Sequence, residues 1–190
     1  MVAQELQPGD FLDPAIILSG PVDYDMYASF REQLRRAPDT GLVVTTLATL
    51  GGDPEVARVM GEDIRFHSDH EAEKRRFVFL GKAAIYSAGT TFMSFFAPEN
   101  RYLTRGTRLM VHERKLSKQL SIDGPLTTCI ATVQAQLNEI EASIAIQNEG
   151  FENLIRGSRV TIDEVLEKAP NNWYIEANEA LSLGLIHAVL

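Results

Sequence analysis

Cysteine is nearly absent from this chain. The one present, Cys129, cannot form a disulfide within it, so the sequence predicts a reducing, cytoplasmic setting. The opening residues Met1-Val2-Ala3-Gln4-Glu5 lack the basic and apolar regions of a secretory signal, in keeping with that expectation. Long hydrophobic runs are missing too: a membrane-spanning helix needs roughly 20 apolar residues, and the densest stretch, Phe92 to Ala97, is far shorter. Positive charge is scarce, with 18 Lys and Arg against 26 Asp and Glu and a net charge of −8. That balance argues against nonspecific nucleic-acid or anionic-membrane partners. No internal repeat and no low-complexity tract is visible. What is left is ordinary for a globular protein, 45% hydrophobic and 23% charged, and 190 residues suit one domain with a sizeable core.

Residues 1–14 are polar, are broken by Pro8-Gly9-Asp10 and Pro14, and read as an N-terminal arm; residues 15–190 read as a single domain. Ala15 to Gly20 is a short apolar run of buried-strand type. Asp23 to Arg36 places Met26, Tyr27, Phe30 and Leu34 on one helical face, and Leu42 to Leu47 reads as a second core strand that runs into Gly51-Gly52. Asp53 is a helix cap with Pro54 at the first helical position, followed by an inward stripe of Val56, Val59, Met60 and Ile64. The charged segment from His67 to Arg76 reads as a surface connection. A third strand, Phe77 to Leu80, leads to Gly81 and a buried helix around Thr91 to Phe96. Two short strands flank Arg105-Gly106-Thr107, the second closing on His112. A loop to Pro125 precedes a long helix from Leu126 to about Ile155, whose apolar pattern places Cys129 in the core. Thr161-Ile162-Asp163-Glu164 is a capping box, and Trp173 to Ile175, a helix from Ala177 to Leu183 and a final apolar run complete the chain. Strands alternating with helices predict an α/β domain with a largely parallel sheet.

Chemistry concentrates where the third strand hands over to its helix. Ser87 stands at that junction, beside backbone N–H groups that a helix start leaves unpaired, so it is the candidate nucleophile; the bland alternative is that it only caps the helix. His112 ends a strand, where a sheet projects functional side chains, and is one of four histidines. Gly51-Gly52 sits at another strand-to-helix junction, where backbone can approach a substrate. His67-Ser68-Asp69-His70-Glu71 holds metal-ligand residue types, but with no second cluster it reads as a solvated loop, and no metal is expected.

In combination these stretches resemble the Clp protease proteolytic subunits and their relatives in the crotonase-like superfamily. The match runs through Ala15-Ile16-Ile17-Leu18-Ser19-Gly20-Pro21-Val22, Thr49-Leu50-Gly51-Gly52, Ser87-Ala88-Gly89, Arg108-Leu109-Met110-Val111-His112 and Glu179-Ala180-Leu181-Ser182-Leu183-Gly184-Leu185-Ile186. The separation of 25 residues between Ser87 and His112 is also the family's usual one. The resemblance implies an α/β ClpP/crotonase-like fold of repeated β-β-α units, with a mostly parallel sheet and a long handle-region helix. It implies a serine-type endopeptidase without cofactor, hydrolysing peptides or unfolded chains in a homo-oligomeric chamber, with an ATPase unfoldase or a Clp-like paralogue as a further partner. Ser87 would be nucleophile, His112 general base, and Gly52 and Ala88 the oxyanion donors through their backbones. Where the family carries its third triad residue, an aspartate, this chain has Asn172; Asp163 is the alternative orienter. The competing expectation is a catalytically attenuated Clp-like scaffold or regulatory subunit. Acyl-CoA chemistry of the crotonase type ranks last, because no paired carboxylates stand at the expected junctions.

Overall fold

A computed structural model describes residues 5–71 and 73–190. In chain order it contains β1 (Ile16–Ser19), α1 (Tyr24–Arg36), β2 (Gly41–Thr49), α2 (Pro54–Glu71), β3 (Arg75–Tyr86), α3 (Ala88–Met93), β4 (Arg101–Leu103) and β5 (Arg108–Val111). The long α4 (Leu126–Ile155) follows, then α5 (Ile162–Lys168), β6 (Trp173–Glu176), α6 (Ala177–Leu183) and β7 (Ala188–Val189). The main sheet runs β1-β2-β3-β4-β7 with every pairing parallel, and only the β5–β6 pair is antiparallel. This is the α/β architecture with a mostly parallel sheet and a long helix that the sequence led us to expect.

One strand pairs with two partners in succession. The first half of β3, Phe79 to Gly81, pairs with β4, whereas Ala84 to Tyr86 pairs with β5. Between them the strand bulges: its register against β2 slips between Leu47 and Thr49, and Ala83 takes φ 59°, a left-handed conformation that costs an L-residue about 1–3 kcal/mol. The bend turns the end of β3 towards the short β5–β6 pair.

The helices bury their apolar stripes on one face of the sheet. Met26, Phe30 and Leu34 of α1 and Val56, Met60 and Ile64 of α2 meet Ile16, Leu18, Val43, Phe77 and Phe79, with Phe92 and Phe96 beside them. Phe92 stands edge-on to Phe30 at 5.7 Å and to Phe96 at 5.4 Å. Each such aromatic contributes about 1.5–3 kcal/mol by leaving water. Local signals agree with this packing: the Asp23 carboxylate accepts from Met26 N–H at 2.9 Å and that of Asp53 from Glu55 N–H at 2.8 Å, closing the helix starts.

Three sequence expectations are corrected. The charged segment His67 to Arg76 is not a connecting loop: α2 continues to Glu71 and β3 begins at Arg75. Its charges pair along the helix, with His67 Nδ1 3.1 Å from the Glu71 carboxylate, and Arg75 is buried because its Nε donates to that carboxylate at 2.6 Å. That pairing takes up the polar ends, so the segment needs no apolar period. Secondly, Cys129 is only half-buried, because the N-terminal part of α4 stands clear of the body and its apolar row faces outward. Thirdly, the helix after Ser87 spans Ala88–Met93 and is over before Phe96. In the N-terminal segment, Pro8–Phe11 forms a 3-10 turn that drops Phe11 onto Val44, Val78, Leu80 and Tyr102 on the sheet's other face.

Candidate active site

The end of β3 delivers Ser87 in a conformation that side chains rarely adopt, φ 54° and ψ −115°. Its own N–H is held by Met110 O at 2.8 Å, and its C=O accepts from Thr90 N–H at 2.9 Å and the Thr90 hydroxyl at 2.7 Å. The elbow is therefore fixed by backbone, and the Ser87 side chain makes no cap hydrogen bond to α3. Its Oγ lies instead 2.6 Å from His112 Nε2. Parallel pairing of Tyr86 with Met110 sets the two chain ends side by side, which is why residues 25 apart in sequence meet.

Gly51 and Gly52 close over the serine from β2. A Cβ on Gly51 would stand 2.9 Å from Ser87 Cβ, and one on Gly52 would stand 2.2 Å from Val22 O, so neither position accepts a side chain. Val22 bridges this turn, donating from its N–H to Gly51 O at 3.0 Å and accepting from Asp53 N–H at 2.7 Å. The Gly52 N–H takes no part in that bridge. Together with the first-turn N–H of Ala88, it borders the same cavity of about 350 Å³ that Ser87 and His112 line. The cavity's far wall is apolar and comes from the C-terminal half of α4, through Ile144, Phe151 and Leu154.

No described residue hydrogen-bonds the other ring nitrogen of His112. Val111 pairs with Trp173 at the end of the antiparallel ladder, and His112 and Asn172 are the residues that adjoin this last pair. Asn172 is nevertheless exposed, in left-handed conformation at φ 57°, and His112 Nδ1 is buried with no hydrogen-bond partner among the described residues. Asp163 lies exposed in the first turn of α5 and is not bonded to His112 either. The structure thus brings Ser87, His112, Gly52 and Ala88 to one cavity and leaves both candidate orienters away from the ring.

Two neighbours of the site were not legible in the sequence. The Arg114 guanidinium spans the cavity edge to Glu55 at 2.6 Å, while its backbone N–H donates to Gln147 of α4 at 2.6 Å. Burial raises the Glu55 carboxyl's pKa, but hydrogen bonds from Arg114 and Arg58 outweigh it and hold the group below the usual carboxylate range. Arg101, in β4, is buried to 1% exposure. It donates to the carbonyls of Ser94, Phe96, Asn153, Leu154 and Leu185, tying the ends of α3 and α4 together behind the cavity. Desolvation, with Arg156 nearby, draws its pKa down to about 10, which still leaves it charged at neutral pH. Only the convergence of five carbonyls from distant segments could have revealed it.

No protein-family model and no curated protein sequence matches this chain. Among solved structures it is similar to an asparagine-to-aspartate mutant of ClpP1 from Listeria monocytogenes, at 16% sequence identity and a TM-score of 0.68, over 92% of this chain and 90% of that one. At that identity the likeness is one of fold, and the fold of this chain is ClpP-like.

Proposed function

We propose that the protein is a serine-type peptidase. The observation that carries this reading is the 2.6 Å contact between Ser87 Oγ and His112 Nε2 on a strained elbow that faces a cavity. In the reaction, Ser87 Oγ bonds to a peptide carbonyl carbon as its proton passes to His112 Nε2, and the carbonyl oxygen becomes an oxyanion facing the Gly52 and Ala88 N–H groups. His112 then gives the proton to the leaving amine as the C–N bond breaks, and water, deprotonated by the same ring, releases the acyl group from Ser87. Asn172, or Asp163, serves as orienter once it reaches Nδ1. No cofactor enters these steps.

The working form in this reading is a homo-oligomer with the site inside a chamber that admits peptides or unfolded chains, supplied by an ATPase unfoldase or paired with a Clp-like paralogue in the cytoplasm. Support for self-association comes from α4. Leu126, Ile130, Val133, Leu137, Ile140 and Ile144 recur at alternating steps of four and three and are all exposed, Leu126 by 82% and Ile130 by 69%. A row of this kind on a chain of net charge −8 is what an interface needs, and residues 126–138 of the helix carry no charge that would set two copies against each other. Among the described residues no helix is long and apolar enough to cross a membrane.

The test is labelling by a fluorophosphonate, with mass spectrometry to locate the adduct. Adduct on Ser87 that disappears in Ser87→Ala and His112→Ala supports the peptidase. A folded protein that never labels favours the second reading, an attenuated Clp-like scaffold, whose specific support is that His112 Nδ1 has no partner among the described residues.

A further inference from the structure

We infer that Thr49 is the positioning residue of the oxyanion pocket, its hydroxyl setting the Gly51–Gly52 peptide and its methyl setting the first turn of α3. This rests on the peptidase reading. Thr49 ends β2, is 3% exposed, and does not touch the reacting atoms. Gly51 N–H donates to its Oγ1 at 3.0 Å, and the hydroxyl in turn lies 3.3 Å from Gly51 O, to which it donates. Gly51 O also accepts from Val22 N–H at 3.0 Å.

That carbonyl and the Gly52 N–H belong to one planar trans peptide, so they point in opposite directions. Holding Gly51 O between the Thr49 hydroxyl and Val22 therefore aims the Gly52 N–H the other way, out of the bridge. The glycine pair cannot hold this plane unaided, because Gly51 and Gly52, at φ 111° and 154°, lie in a region that glycine samples freely. A polar side chain from the strand before it supplies the restraint.

The other half of the same side chain faces α3. The Thr49 γ-methyl stands 2.5 Å from where a Cβ on residue 89 would be, so it fills the place of the side chain that Gly89 lacks. Gly89 follows Ala88 directly. One residue thereby fixes the spacing between the two N–H groups of the pocket: the hydroxyl orients one, and the methyl limits how closely the turn bearing the other can approach.

The experiment compares rates of fluorophosphonate labelling across pH for the full-length protein, Thr49→Val and Thr49→Ser, with thermal melting alongside. Thr49→Val keeps the shape and removes the hydroxyl. It is expected to lower the plateau rate by about 10-fold to 100-fold, without moving the pH of half-maximal labelling, since the Ser87–His112 pair is untouched. Thr49→Ser, with the hydroxyl back, restores most of the rate. With a peptide substrate that the unsubstituted protein cleaves, the loss falls on kcat and leaves KM in place. Equal plateau rates for Thr49→Val and the unsubstituted protein overturn the role of Thr49 and leave the peptidase reading standing. No labelling of the unsubstituted protein overturns the peptidase reading and this role with it. If Thr49→Val does not fold, Gly89→Ala decides the matter: its Cβ presses on the Thr49 methyl and slows labelling, and adding Thr49→Ser removes that methyl and recovers the rate. Absence of that recovery overturns the inference.

Discussion

His112 and Asn172 adjoin Val111 and Trp173, the last rung of the β5–β6 ladder, yet the buried Nδ1 of His112 has no partner among the described residues. If Ser87 donates to Nε2, the neutral ring carries its proton on Nδ1, and a buried N–H without an acceptor costs about 1–3 kcal/mol. Any group that reaches Nδ1 removes that cost and fixes the useful tautomer. Asn172→Asp offers a full negative charge beside this rung. We expect it to raise the labelling rate of Ser87 by at least about 10-fold, within the roughly 10⁴-fold that the reverse change costs in serine proteases. A rate unchanged by Asn172→Asp would exclude residue 172 as the orienter and direct attention to Asp163.

Ala83 makes a different case, because its strain is exposed and can be relieved. At φ 59° it holds the bulge that splits β3 between two partners, and glycine adopts this conformation without penalty. Ala83→Gly should stabilise the fold by a net of about 0.5–1 kcal/mol, the relieved strain being partly offset by glycine's greater chain entropy when unfolded. Thermal melting should rise by about 1–4 °C; a fall would mean that the bulge conformation is not strained.

Arg101 carries the opposite expectation. Arg101→Met leaves five buried carbonyls without their donor, and each unsatisfied group costs about 1–3 kcal/mol before relaxation. A net loss of at least about 3 kcal/mol corresponds to a fall in Tm of roughly 6–12 °C. Arg101→Lys, with three donors on one nitrogen, should recover only part of it. A melting point within a degree or two of the unsubstituted protein would show that the carbonyls find other partners.

The apolar row of α4 predicts the outcome of sedimentation. Ile130→Glu with Leu137→Glu places two carboxylates on exposed positions of the helix, where a monomer tolerates them at little cost and an interface does not. The unsubstituted protein should sediment as an oligomer and the double variant as smaller species with the same melting point. A monomeric unsubstituted protein would remove the support that α4 gives to a chamber.

Much of this molecule was legible before any coordinates. Alternating apolar runs and helical stripes, with caps at Asp23, Asp53 and Thr161, are local signals, and they gave the element order because, α4 apart, the elements bury the faces their own residues define. Ser87, His112 and the glycines of residues 51 and 52 marked out the candidate site through their places at strand ends and through the family resemblance. Local pattern could not decide where β3 divides, since Ala83 looks like any strand alanine until β4 and β5 claim different halves of it. It misread His67 to Arg76 because pairing of Glu71 with His67 and Arg75 replaces the apolar period as the reason for order. Nor could it show that Arg101 gathers carbonyls from three distant segments, that the α4 row faces outward, or that Asn172 makes no hydrogen bond to His112 Nδ1. Those are facts of separation in space. Sequence determines which faces must be buried and which turns only glycine can make, whereas hydrogen-bond satisfaction between residues far apart in the chain is settled only when the packed elements fix the distances.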